Sequence, residues 1–174
     1  MGVALKNLSR WIYLMHQVHE ARYYIARAED LGHPHQLHSY DAILEFLAHF
    51  RGALNSYAKC FVSTGSGRIK LEGEELFSSD QTKLDAHKRI MGLRHKYVSH
   101  GDSNEFETVR VVEESSAEEL VVRLQYSLTF PFDRMYELRD LIRFVESHVV
   151  DHQRKHIGSI ERGLGRPVRV LEGK

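Results

Sequence analysis

The sequence predicts a mainly α protein, an up-and-down helical bundle with an inserted β-hairpin. Three observations predict it. Four segments carry apolar residues at alternating steps of three and four, the spacing that lines one face of an α-helix. The stretch at about 106–128 instead alternates apolar and polar residues, the period of a half-buried strand. Glycine, proline and polar clusters separate these segments. At 174 residues the chain is long enough for one domain with a proper core. Residues 1–160 are expected as that domain and 161–174 as an irregular tail.

The first helix is expected from about Val3 to Leu31, with its stripe on Trp11, Leu14, Val18, Ala21, Ile25 and Ala28. Gly32 and Pro34 stop it. The second starts at Ser39, a residue that caps helix N-termini, and reaches about Val62. Ile43, Leu47, Phe50, Leu54, Tyr57 and Phe61 form its seam, which should pack antiparallel to the first helix. Gly52 inside it predicts a close helix approach, because glycine otherwise weakens a helix. Residues 63–79 read as a connector, with Leu76 and Phe77 turned back onto the core. Gly65-Ser66-Gly67-Arg68 lacks both the Gly-Lys-Ser/Thr ending and the preceding strand of a phosphate loop.

The third helix is expected over about Asp80 to His100. The alternating segments that follow meet at a polar turn over Ser115 to Glu119, which makes them a hairpin. It is expected to cover one side of the bundle, with edge pairing to a partner as the second option. Pro131 introduces the last helix, about Phe132 to His156, with a seam on Met135, Leu138, Ile142, Val145 and Val149.

Composition narrows the function. Lys plus Arg equals Asp plus Glu at 24 each, which argues against a broad basic surface that coats nucleic acid. A local basic pocket remains allowed. The single cysteine, Cys60, excludes an intrachain disulfide framework and fits a reducing compartment. No apolar run reaches transmembrane length, and Lys6, Asn7, Ser9 and Arg10 interrupt any signal-peptide core. A cytoplasmic location without membrane contact is expected.

The densest chemistry lies in Arg94-His95-Lys96-Tyr97-Val98-Ser99-His100, before Gly101-Asp102. Gly101 suits the left-handed position just past a helix end. A histidine beside an arginine can move a proton while the guanidinium holds a phosphate. The macrodipole favours a basic helix end in any case, so the same residues also fit plain capping. His87 and Arg94 share one face. His100 lies about 120° round an ideal helix from Arg94, so the two point to one spot only if the last turn unwinds under the long arginine or a second copy of the chain completes the site.

Leu93-Arg94-His95-Lys96-Tyr97-Val98-Ser99-His100 resembles the signature of HEPN-domain proteins, an arginine, a polar residue and a histidine in Arg-polar-x4-His order. Ser99-His100-Gly101-Asp102 is similar to the Ala-His-Ser-Asp ending of abortive-infection-like members. The resemblance covers the helical body, roughly Asn7 to His156. It implies a HEPN-like bundle that places its motifs at a two-fold homodimer cleft. It also implies a metal-independent endoribonuclease of a toxin–antitoxin or phage-defence type, although some members have lost activity. Arg94, His95 and His100 would be catalytic and Lys96 would bind substrate. RNA and an antitoxin or other regulatory protein would be the partners, with no cofactor. The alternative is a non-catalytic helical interaction module that binds a protein or anionic partner through the same cleft.

The remaining histidines need a separate decision. His33, His35 and His38 stand in a loop without cysteine or carboxylate at zinc-site spacing, so a solvated turn is expected. His148, His152 and His156 form a row beside the last seam. Two such histidines can hold a metal, but a solvated or interface row is the better expectation.

Overall fold

A computed structural model describes residues 2–33, 36–37, 39–62, 69–98, 107–115, 119–128 and 132–170. The described elements are α1 (Gly2–Asp30), α2 (Tyr40–Lys59), α3 (Gly73–Leu76), α4 (Gln81–Val98), β1 (Glu107–Ser115), β2 (Leu120–Leu128) and α5 (Phe132–Leu164). The chain is mainly α with a two-stranded antiparallel hairpin, as the periodicities require.

Side-chain pairs fix the helix directions. Glu20 of α1 meets Ser56 of α2 at 3.3 Å, while Tyr24 lies against Gly52. Position rises on one helix as it falls on the other, so α1 and α2 are antiparallel. Arg22 pairs with Glu146 at 2.8 Å and Glu29 with Arg139 at 3.1 Å, which makes α1 and α5 antiparallel. Arg89 pairs with Glu137 at 2.6 Å, and Lys83 sits 5.4 Å from the centre of the Phe144 ring, so α4 and α5 are antiparallel too. The four long helices therefore run up, down, up, down. These pairs orient the helices; they are partly exposed, and each stabilises the fold little.

The core is the sum of the apolar stripes. Leu14, Val18, Ala21, Ile25 and Ala28 of α1 are buried, as are Leu47, Phe50, Leu54 and Tyr57 of α2. Ile90 of α4 and Leu138, Ile142, Val145 and Val149 of α5 close it. The Gly52 expectation holds: a methyl there would meet the Tyr24 ring at 2.9 Å. Local signals set the ends. The Ser39 hydroxyl accepts from the Ala42 N–H at 3.2 Å, and the Asp80 carboxylate accepts from the Lys83 N–H at 3.0 Å. After α1, Gly32 takes φ +89°, a conformation that favours glycine.

The connector is more ordered than its glycines suggest. The Leu71 N–H donates to the Cys60 carbonyl at 2.8 Å, α3 forms one helical turn, and Phe77 is fully buried. The part of it at 63–68 lies outside the described residues.

Two expectations are corrected. The last helix does not stop near His156 but continues to Leu164, so the irregular tail starts later than residue 161. Ile160 is buried there and supplies the apolar contact for the extra turns. Gly165, at φ +64°, ends the helix, and its N–H donates to the Glu161 carbonyl at 2.8 Å. The second correction concerns the hairpin. Among the described residues it packs strand on strand and not as a cover on the bundle. Among the described side chains of the ladder, Val111, Leu120 and Val122 are 59%, 61% and 54% exposed.

No described helix is long and apolar enough to cross a membrane.

Candidate active site

Arg94 lies on the C-terminal part of α4. The pairs Arg89–Glu137 and Arg139–Glu29 put this part of α4 at the end of the bundle where α1 finishes and α5 begins. Ile90 and Leu93 are buried just before Arg94, and Arg94 itself is half-buried at the margin of that apolar face. Its Nε is buried and has no hydrogen-bond partner among the described residues. A buried donor left unsatisfied costs about 1–3 kcal/mol, so it calls for an explanation. His95 is exposed on the next position. The side chain of Lys96 and the whole of His100 lie outside the described residues, as do His35 and His38.

A second cluster fills the core near the middle of α4. His87 is buried, and the Tyr57 hydroxyl lies 2.8 Å from its Nδ1. The rings of Phe61 and Phe77 stand 4.4 and 5.2 Å from the imidazole. On the connector side Gly73 leaves room for the ring, because a methyl there would collide with His87 Nε2. Burial pushes the His87 pKa down to about 4; Glu74 opposes this and Lys88 adds to it. The imidazole is therefore neutral near pH 7. Burial also pushes the Cys60 thiol up to about 12, which leaves it protonated and unreactive.

The row His148, His152, His156 gathers around Trp11. His152 stacks on the indole at 4.3 Å with the planes 8° apart. His148 and His156 flank it at 6.1 Å each. Burial, and then the neighbouring cations, lower the pKa of His148 and His152. The row is thus half-buried packing on α1 and not a solvated edge. A cavity of about 420 Å³ opens beside it, walled by Trp11, Leu71, Leu76, Phe144 and His148. No group of three or more potential metal ligands occurs among the described residues.

The sequence therefore located Arg94 correctly on the late part of the motif helix, but Arg94 and His100 are not brought together by anything described. His87 and Arg94 share a helix face as expected, yet His87 is occupied by Tyr57 inside the core. Two arrangements escaped the sequence, the Trp11–His152 stack and the Tyr57–His87 bond. Each joins distant segments, and the only signal was a histidine at an apolar step. No family model, no curated protein and no solved structure matches the chain.

Proposed function

We propose that the chain is a HEPN-like, metal-independent endoribonuclease that acts as a homodimer. The observation that carries the reading is the Arg94 guanidinium, whose buried Nε has no hydrogen-bond partner among the described residues near the end of α4. A planar, permanently charged donor in this state is suited to a phosphodiester oxygen. The motif resemblance and the four-helix arrangement support the same reading.

In the proposed reaction His100 of one copy removes the ribose 2′-hydroxyl proton. The freed oxygen attacks phosphorus, and the bond to the 5′-oxygen breaks. The equivalent histidine of the second copy protonates that oxygen, leaving a 2′,3′-cyclic phosphate and a 5′-hydroxyl. Arg94 neutralises charge building on the phosphoryl oxygens. His95 orients or shares the proton, and Lys96 steers the RNA backbone. The biological setting is toxin or phage defence in the cytoplasm, held in check by a regulatory protein.

The test is cleavage of end-labelled RNAs in excess EDTA, with analysis of the product ends. Cyclic phosphate products at undiminished rate are expected. Cleavage that stops in EDTA would remove the metal-free mechanism. The exposed apolar residues of the hairpin favour a second reading, a binding module without catalysis. It becomes the better one if RNA binds and remains intact.

A further inference from the structure

The hairpin is the one described element that the bundle does not explain. β1 and β2 pair only with each other among the described residues, in a register that sets Val111 opposite Leu124 and Glu113 opposite Val122. A lone two-stranded ladder is marginally stable in water; three or more strands are the usual minimum. Here the ladder also exposes Val111, Leu120 and Val122 to solvent. The outer edge of β1 has no partner strand among the described residues, and an unpaired edge is a template for another strand.

We propose that β1 pairs antiparallel with β1 of a second copy across a two-fold axis centred on Val112, giving one four-stranded sheet. Charge selects this occupant and this register. A two-fold axis perpendicular to a sheet keeps like faces together, so residues opposite each other must differ by an even number. The strand reads Arg110-Val111-Val112-Glu113-Glu114. Within β1 the acids are Glu107, Glu113 and Glu114, and only Glu114 stands an even number of places from Arg110. Centring on Val112 sets each Arg110 against the partner's Glu114, twice by symmetry. Centring on Arg110 would instead place like charges opposite each other. Opposite charges directly across a ladder stabilise it and like charges destabilise it. Val112, 37% exposed in the single chain, meets its own copy at the axis. The inference rests on the ladder and does not require RNA cleavage.

The test uses two charge reversals in the full chain, Arg110→Glu and Glu114→Arg. Each variant alone sets four like charges across the axis and should weaken the dimer about tenfold or more, from the pair energies converted to a binding constant. Mixed one to one, the two variants have only opposite charges across the axis. They should form a heterodimer at least as tight as the wild-type dimer in sedimentation equilibrium. A fold defect in either variant cannot produce this recovery. Val112→Cys should also form an intermolecular disulfide, with no background because Cys60 is buried. A monomeric wild type at about 100 μM, well above the dissociation constant of any stable dimer, overturns the proposal. So does a dimer indifferent to both reversals, because its interface would lie elsewhere.

Discussion

The Tyr57 hydroxyl and His87 Nδ1 lie 2.8 Å apart with both side chains buried. Two polar groups in an apolar core satisfy each other, and the pair ties α2 to α4. Protonating His87 would place a charge among Phe61, Phe77 and Gly73, which is why its pKa falls to about 4.

That pair makes the fold acid-sensitive. Above the ordinary histidine pKa both folded and unfolded chains hold His87 neutral, and it adds no pH dependence. Between about pH 6.5 and 4 the unfolded chain binds the proton and the folded chain does not. Stability should therefore fall by about 3 kcal/mol over that window, slightly less than the full shift implies because some solvent reaches the ring. Urea titrations at pH 7 and pH 4.5 measure it. His87→Gln keeps a polar partner for Tyr57 without titrating in this range, and its profile should be flatter. An equal slope in that variant would assign the effect to other groups.

Gly52→Ala should destabilise the bundle by about 1 kcal/mol or more. Alanine is the better helix former by about 1 kcal/mol, but overpacking costs about 1–3 kcal/mol. The collision is with the Tyr24 ring at 2.9 Å. In a Tyr24→Ala background the same substitution should become neutral or stabilising. Thermal melts of the four proteins decide the matter.

Trp11→Ala should cost about 3–5 kcal/mol, as expected for a buried aromatic. His152→Ala should cost about 1 kcal/mol through the lost stack and leave any catalysis intact. Chelation should not shift the melting temperature, since metal affinity would add directly to folding free energy. A clear fall on chelation would reassign the three histidines as ligands.

His100→Ala should lower RNA cleavage about 100-fold or more by removing the proton-transfer group. Arg94→Ala should be comparably damaging. Both variants must keep the wild-type melting curve and dimer. Wild-type cleavage by a folded His100→Ala protein would end the proposed mechanism.

The helices were legible because burial imposes a period. Leu14, Leu54 and Ile142 each sit where a three–four step places them, and each is buried. Ser39 and Gly32 act locally, so their roles could also be read directly. The alternation in β2 gave the strand but not its surroundings. It reports that one face is apolar, whereas what covers that face is decided by a tertiary contact. The same limit hid the Trp11–His152 stack, because two elements from opposite ends of the chain create it. The Arg94 half of the candidate site was legible as a motif position, yet the burial of its Nε without a partner among the described residues depends on which neighbours pack over it.

The antiparallel pairing of α1 with α5 also sets a timetable. Ribosomes deliver α1 first and α5 last of these elements, and chains emerge at about 5–20 residues per second. α2 can dock early against the Tyr24 side of α1, but Trp11 waits for His152. For several seconds of synthesis the nascent chain carries an exposed tryptophan and half a core, a state that a chaperone would recognise. Slowed translation just before α5 would prolong that interval and lower the yield of folded protein, without changing the stability of what has already folded.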